Sequence, residues 1–158
     1  MIIIADSSAI IALATCSALE ILIALYEDVY VPQAVYDEVS QPDRPHALIL
    51  SQFLQNRIVQ VDTKQILLTV GGLGTGEIEA MALYSQLDAD QLLIDDRRAR
   101  RVAEANQIRC IGTLGILLLA KHRGHITKIT PFIDQLRRSP LHYTETLLEK
   151  VLELAKEL

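Results

Sequence analysis

Leu92-Leu93-Ile94-Asp95-Asp96-Arg97-Arg98-Ala99 is an apolar run that stops at two acids and passes straight into a basic, helix-forming stretch. Consecutive apolar residues suit a strand buried on both faces, as in a parallel sheet covered by helices. The chain opens on the same pattern. Ile2-Ile3-Ile4-Ala5 is a β-branched run that stops at Asp6, and Ser7-Ser8 leads into an apolar helix over residues 9–14, which either serine suits as a cap. Residues just past the carboxyl ends of parallel strands line the ligand crevice. Setting these two strands side by side would therefore bring Asp6 and Asp96 together.

The segments between and beyond them keep the alternation. A helix is expected over 18–26, a strand over 29–31, and then a helix with Pro32 as its first residue, carrying Val35, Glu38 and Val39 and ending before Pro42. A helix over 46–55 and a strand over 58–61 follow, while 63–70 supports no assignment. The loop Gly71-Gly72-Leu73-Gly74-Thr75-Gly76 precedes a helix over 77–87. Beyond the strand at 92–94 come a helix over 97–106, a strand over 109–111 and a helix over 114–121. Strands alternating with helices at these spacings make an α/β fold around a parallel sheet. Pro131 opens a further helix and Thr144 caps a last one, in which Leu147, Leu148, Val151, Leu152, Ala155 and Leu158 form an apolar stripe. That stripe either packs on the body of the domain or offers a face to a partner.

A length of 158 residues makes one domain, 1–158, and 50% hydrophobic residues give it a core to bury. The net charge of −5 does not advertise nucleic-acid binding, although a local basic stripe can still provide it. With 4% aromatic residues and no Trp, the composition argues against aromatic stacking platforms for single-stranded nucleic acid. Cys16 and Cys110 are too few for a disulfide scaffold or a thiolate metal site and read as small core residues. No stretch approaches the ~18 apolar residues of a membrane span. The first apolar run lacks a basic region before it, so a cytoplasmic protein with no membrane association is expected.

Four acids fall in the crevice expected from this topology: Asp6, Asp96 with Asp95 beside it, Glu38, and Glu77 in the first turn after the Gly-rich loop. Each has a plain reading as well. Asp6, Asp95 and Asp96 can cap helices, Glu77 suits a first turn, and Glu38 can be a solvated helix residue with Asp37 as its rival. Taken together they repel: two carboxylates 4 Å apart cost on the order of 4 kcal/mol at an effective dielectric near 20. Such a cluster either takes up protons or is neutralised by a divalent cation, and an all-oxygen donor set suits Mg²⁺ or Mn²⁺ rather than zinc. The Gly-rich loop lacks the Gly-Lys-Ser/Thr ending of a P-loop and reads instead as a flexible approach for Glu77.

Asp6-Ser7-Ser8 after an apolar strand, Glu38, Leu73-Gly74-Thr75-Gly76-Glu77 with Glu79-Ala80, and Leu93-Ile94-Asp95-Asp96-Arg97-Arg98-Ala99 resemble the PIN-domain nucleases, in particular the compact prokaryotic branch related to VapC-type toxins. The resemblance covers residues 1–125, with 126–158 as a C-terminal helical extension. It implies an α/β/α sandwich with parallel strand order 3-2-1-4-5 and Mg²⁺- or Mn²⁺-dependent cleavage of RNA. By motif, Asp6, Glu38, Glu77 and Asp96 take the places of the acidic quartet, with Asp95 the alternative to Asp96. Ser8 takes the hydroxyl position that supports the first acid, and Thr113 a hydroxyl position after the fifth strand. A small antitoxin protein as partner and a homodimer are further implications.

A polyanionic substrate needs positive charge beside the acids. Arg97, Arg98, Arg100 and Arg101 follow the Asp doublet, with Arg97, Arg100 and Arg101 able to share a helix face and Arg100 able to pair with Glu104. Lys121, His122, Arg123, His125 and Lys128 form a second basic cluster able to extend a groove. His46, His122, His125 and His142 lie outside the motifs, as surface or helix-end residues. Two other functions compete. One is a non-catalytic module of the same fold that holds a cation or a partner. The other is a phosphoryl-accepting switch domain, which fits poorly because Asp62 is a poor phosphoacceptor and the fifth strand ends in Gly112-Thr113 rather than Lys.

Overall fold

The computed structural model describes residues 1–62 and 72–158, so the unassigned stretch 63–70 lies outside the described residues. At its centre is β1 (Ile2–Ala5), paired in parallel with β2 (Asp28–Tyr30) on one side and β3 (Gln91–Leu93) on the other. β4 (Cys110–Ile111) pairs in parallel with β3, giving the order β2-β1-β3-β4. Side chains alternate across a strand, and here the alternation feeds two cores. Ile3, Ala5, Val29 and Leu93 face one layer, while Ile4, Leu92 and Ile94 face the other.

The first layer holds α1 (Ser7–Thr15), α2 (Leu19–Leu25), α3 (Gln33–Val39), α4 (Ala47–Leu54) and α7 (Thr113–His122). α8 (Thr130–Arg138) and α9 (Glu145–Leu154) pack on the same side. The second layer holds α5 (Thr75–Gln86), through Ala80, Met81 and Leu83, and α6 (Arg97–Ala105), through Ala99 and Ala103. α1 is buried from Ala9 to Ala14, which explains a helix apolar on every side. Cys16 is buried and Cys110 partly so; both are free thiols. Among the described residues no single helix is long and apolar enough to cross a membrane.

Four expectations need correction. The strand expected over 58–61 is a single parallel bridge between Val31 and Ile58, lying beside β2 where the third of five strands belongs. The chain leaves the ladder there because side chains take over its backbone. Gln86 donates to the Gln60 carbonyl at 2.9 Å and accepts from the Asp62 N–H at 2.8 Å. Neither serine caps α1: Asp6 holds the N-cap position without a side-chain capping bond, and the Ser7 hydroxyl is turned to Glu38. Pro32 stands just before α3 rather than inside it, and α5 starts at Thr75, ahead of Glu77.

The apolar stripe of α9 divides. Leu148, Val151, Leu152 and Ala155 are buried on the body, while Leu147 and Leu158 remain exposed. Thr144 caps the helix, its hydroxyl accepting from the Leu147 N–H at 3.2 Å. A clasp that the stripe does not foretell holds the end in place. Glu157 pairs with Lys121 at 2.8 Å and accepts from the Ile129 and Thr130 N–H groups and the Thr130 hydroxyl at 2.6–3.0 Å. Burial works to raise the pKa of this carboxyl, but Lys121, Thr130 and the two amides outweigh it and hold it at about 2.

A carboxyl whose pKa is lowered on folding stabilises above its ordinary value of 4.5 and loses that contribution as pH falls toward 2. Glu157→Ala is expected to cost about 2 kcal/mol at pH 7. In urea unfolding the gap between variant and native protein should narrow steadily below pH 4.5.

Candidate active site

Pairing of β1 with β3 places Ala5 opposite Leu93, and the Asp6 N–H donates to the Leu93 carbonyl at 2.9 Å. The two strand ends are therefore locked side by side, and Asp6 and the Asp95–Asp96 pair leave the sheet at the same edge. Asp6 is only 4% exposed. It lines a cleft of about 300 Å³ with Ser7, Ser8, Glu38, Gly76 and Glu77. Glu38 reaches this cleft from α3, accepting from the Ser7 hydroxyl at 2.8 Å and pairing with Arg44 at 3.1 Å. Its rival Asp37 is exposed and accepts instead from Gln33 at 2.8 Å. Glu77 folds back to accept from the Gly74 N–H at 3.3 Å, so its first-turn role is real.

α5 passes close to α3 at Gly76, with room for no more than a small side chain between them. A Cβ there would stand 3.4 Å from Glu38 Oε2 and 3.6 Å from Val35. Glu79 reinforces the approach by accepting from the Ala34 N–H, in the first turn of α3, at 3.4 Å.

Burial raises the pKa of Asp6 to about 7, and the charges of Glu77, Glu38 and Asp96 push it the same way against the Ser7 N–H. The three acids expected to share a site with Asp6 all act on it. Asp95 and Asp96 have different surroundings. Asp96 is exposed and caps α6, accepting from the Ala99 N–H at 2.9 Å. Asp95 is enclosed. Its Oδ1 accepts from the Thr113 N–H at 2.7 Å, and its Oδ2 accepts from the Thr113 hydroxyl at 2.7 Å and the Tyr143 hydroxyl at 2.9 Å. Gly112 leaves room for this arrangement, since a Cβ there would stand 3.0 Å from Asp95 Oδ1. Burial and then the Asp95 charge raise the pKa of the Tyr143 phenol, which keeps it protonated as a donor.

Asp95 and Asp96 also line a second cleft, of about 700 Å³, walled by the C-terminal extension through Leu141, Tyr143 and Leu147. Ser8 is exposed and lines both clefts. Of the four arginines after the acids, Arg97 and Arg100 line the larger cleft, with Arg100 paired to Glu104 at 3.0 Å. Arg98 lies against Gly72, and Arg101 is exposed and lines neither cleft. All four histidines are exposed, and His142 stands at the larger cleft. The second basic cluster does not assemble beside the acids. Lys121 is committed to Glu157, while His122 and Arg123 line a cleft with Met1 and Asp90, at the amino ends of the strands.

The donor set around Asp6 is all carboxylate, which fits a hard divalent cation. Among the described residues no three His, Cys, Asp or Glu stand close enough to hold one ion as placed. Glu38 and Glu77 are drawn toward Ser7, Arg44 and the Gly74 amide instead. The excess of negative charge is what a cation would relieve, and rotation of these two side chains is what it would require. Sequence reasoning missed Tyr143, Arg44 and the orientation of Ser7. Ser7 carries a signal, a second hydroxyl beside Asp6 in the Asp6-Ser7-Ser8 motif, but the sequence does not tie it to Glu38; Tyr143 and Arg44 carry none.

An acid whose pKa is raised on folding costs stability as pH rises from 3.8 through about 7, by about 4 kcal/mol once both states are ionised. Asp6→Asn should therefore stabilise the protein in EDTA. The gain in melting temperature should be absent at pH 3.5, grow with pH and level off above 7.

A family model described as a PIN domain matches residues 2–157 and so takes in nearly all of the helical extension. Among curated proteins and among solved structures, nothing matches. The matched span, the parallel sheet between two helical layers and the acids at its carboxyl edge agree, and the chain belongs to the PIN-domain family of nucleases.

Proposed function

We propose that the chain is a metal-dependent ribonuclease that hydrolyses RNA phosphodiester bonds beside Asp6, Glu38, Glu77 and Asp96. The observation that carries this reading is Asp6. A carboxyl that is 4% exposed, and has three further acids raising its pKa, destabilises the fold, so its use lies elsewhere. Asp6 and Asp96 are the residues assigned to hold Mg²⁺ or Mn²⁺, with Glu38 and Glu77 completing the oxygen donors. A cation bound there supplies a water of lowered pKa and offsets charge on the phosphate oxygens. Asp6 contributes a charge in a nearly dry wall, where electrostatic interactions are strong. The Ser7 hydroxyl holds one oxygen of Glu38 while leaving the other to Arg44.

Arg97 and Arg100 are the residues assigned to phosphates flanking the cut, a role supported by their lining the larger cleft together with Asp96. Arg98 and Arg101 extend the same basic helix, and contacts of this kind make binding sensitive to salt. The motifs' resemblance to VapC-type toxins supports a further assignment, the toxic half of a pair with a small antitoxin protein. A second reading is favoured by one observation: Glu38 and Glu77 are already engaged by protein groups, as in a module of this fold that binds without cutting.

The test is cleavage of a mixed pool of structured RNAs with Mg²⁺, with Mn²⁺ and with EDTA. The native protein should cut only with metal, and Asp6→Asn and Asp96→Asn should both fall to background. RNA binding without cutting under every metal condition would favour the non-catalytic module. Replacing Arg97 and Arg100 with Ala should weaken RNA binding across all sequences. It should also reduce the slope of log affinity against log salt by about 1 for each arginine.

A further inference from the structure

Asp95 accepts three hydrogen bonds at 2.7–2.9 Å, more than helix capping asks of an acid, and one of them comes from 48 residues away. The distant donor is Tyr143, whose ring packs against the main core ahead of α9. The two Thr113 donors sit at the start of α7, so Asp95 is gripped from two elements that meet at the edge of the acidic site. Its neighbour Asp96 is exposed, accepts from one protein donor among the described residues and acts on Asp6. The doublet thus divides into an anchored residue and a presented one.

We infer that Tyr143 is a positioning residue for the acidic site: by holding Asp95 against Thr113 it fixes the backbone from which Asp96 faces Asp6. The inference rests on the metal-dependent nuclease reading and adds to it a part for the C-terminal extension. A group bonded directly to a metal ligand changes metal affinity or turnover about 10–100-fold when lost, and Tyr143, bonded to the residue before the assigned ligand, acts one step further out, at the lower end of that range. The ring of Tyr143 also walls the larger cleft, so the same residue shapes the path beside Arg97. Tyr143→Phe keeps the ring and its packing and removes only the donor.

The experiment uses the full chain and two readouts: Mn²⁺ affinity by calorimetry, and kcat and KM for RNA cleavage. Tyr143→Phe should weaken Mn²⁺ binding about tenfold and lower kcat by a similar factor. KM for RNA should stay within about twofold and the melting temperature within a few degrees. Thr113→Val, which removes another donor to the same Asp95 oxygen, should shift both readouts in the same direction. In an Asp95→Ala background, Tyr143→Phe should change nothing further, because its effect passes through Asp95.

Unchanged Mn²⁺ affinity and kcat in Tyr143→Phe, with a native protein that cuts, would overturn the inference and leave the nuclease reading standing. A loss that persists undiminished in the Asp95→Ala background would overturn it too, since Tyr143 would then act through packing alone. A native protein that neither binds Mn²⁺ nor cuts RNA would end the nuclease reading and this inference with it.

Discussion

Everything at the site depends on β1 being held from both sides. Ile3, Ile4 and Ala5 are completely buried, and their backbone is laddered to β2 and β3 at once. Asp6 follows without a break, its own N–H still bonded to the Leu93 carbonyl. The chain has no freedom there to swing the carboxyl out into water. A charge fixed at the end of a central strand is an expense that ordinary packing would avoid, and the fold carries it. The acids brought near it compound the cost rather than relieve it, since none is a cation.

Strand ends can be read from sequence because an apolar β-branched run that halts at an acid leaves few alternatives. Ile2 to Ala5 before Asp6, and Leu92 to Ile94 before Asp95, stand in the structure as neighbouring strands. The α/β class followed from the same alternation, while the order of strands came from the resemblance of the acidic motifs to a known family. The strand at 58–61 could not be separated from its neighbours. Its apolar residues suited a ladder, and the competing hydrogen bonds came from Gln86, a side chain of a distant helix.

The site was legible to different depths. Acids in the crevice were visible because topology dictates where strands end. Their partners were not. Nothing local links Glu38 to Arg44 rather than to solvent, and nothing in Leu141-His142-Tyr143 announces a donor to residue 95. Adjacent acids of identical type received different surroundings because successive residues leaving a strand point different ways. One meets Thr113 and Tyr143; the other meets the open end of α6. The basic residues show the same limit. Four arginines in a row read as one patch, yet a helix distributes them, and only Arg97 and Arg100 line the larger cleft.

The borders of the sheet have a consequence for how copies of this chain can meet. On one side the last strand is two residues long, and on the other the ladder ends in a lone bridge. A sheet grows into a neighbouring molecule by extending a row of unsatisfied amides and carbonyls, and short edges blunt that route. Among the described residues neither border offers such a row. Leu48 and Ile49 on α4 and Leu154 on α9 instead leave apolar side chains in the open. Among the described residues, the apolar side chains open to a neighbour therefore lie on helix surfaces, where a fit is sensitive to single side-chain changes, rather than along a backbone edge that tolerates almost any sequence.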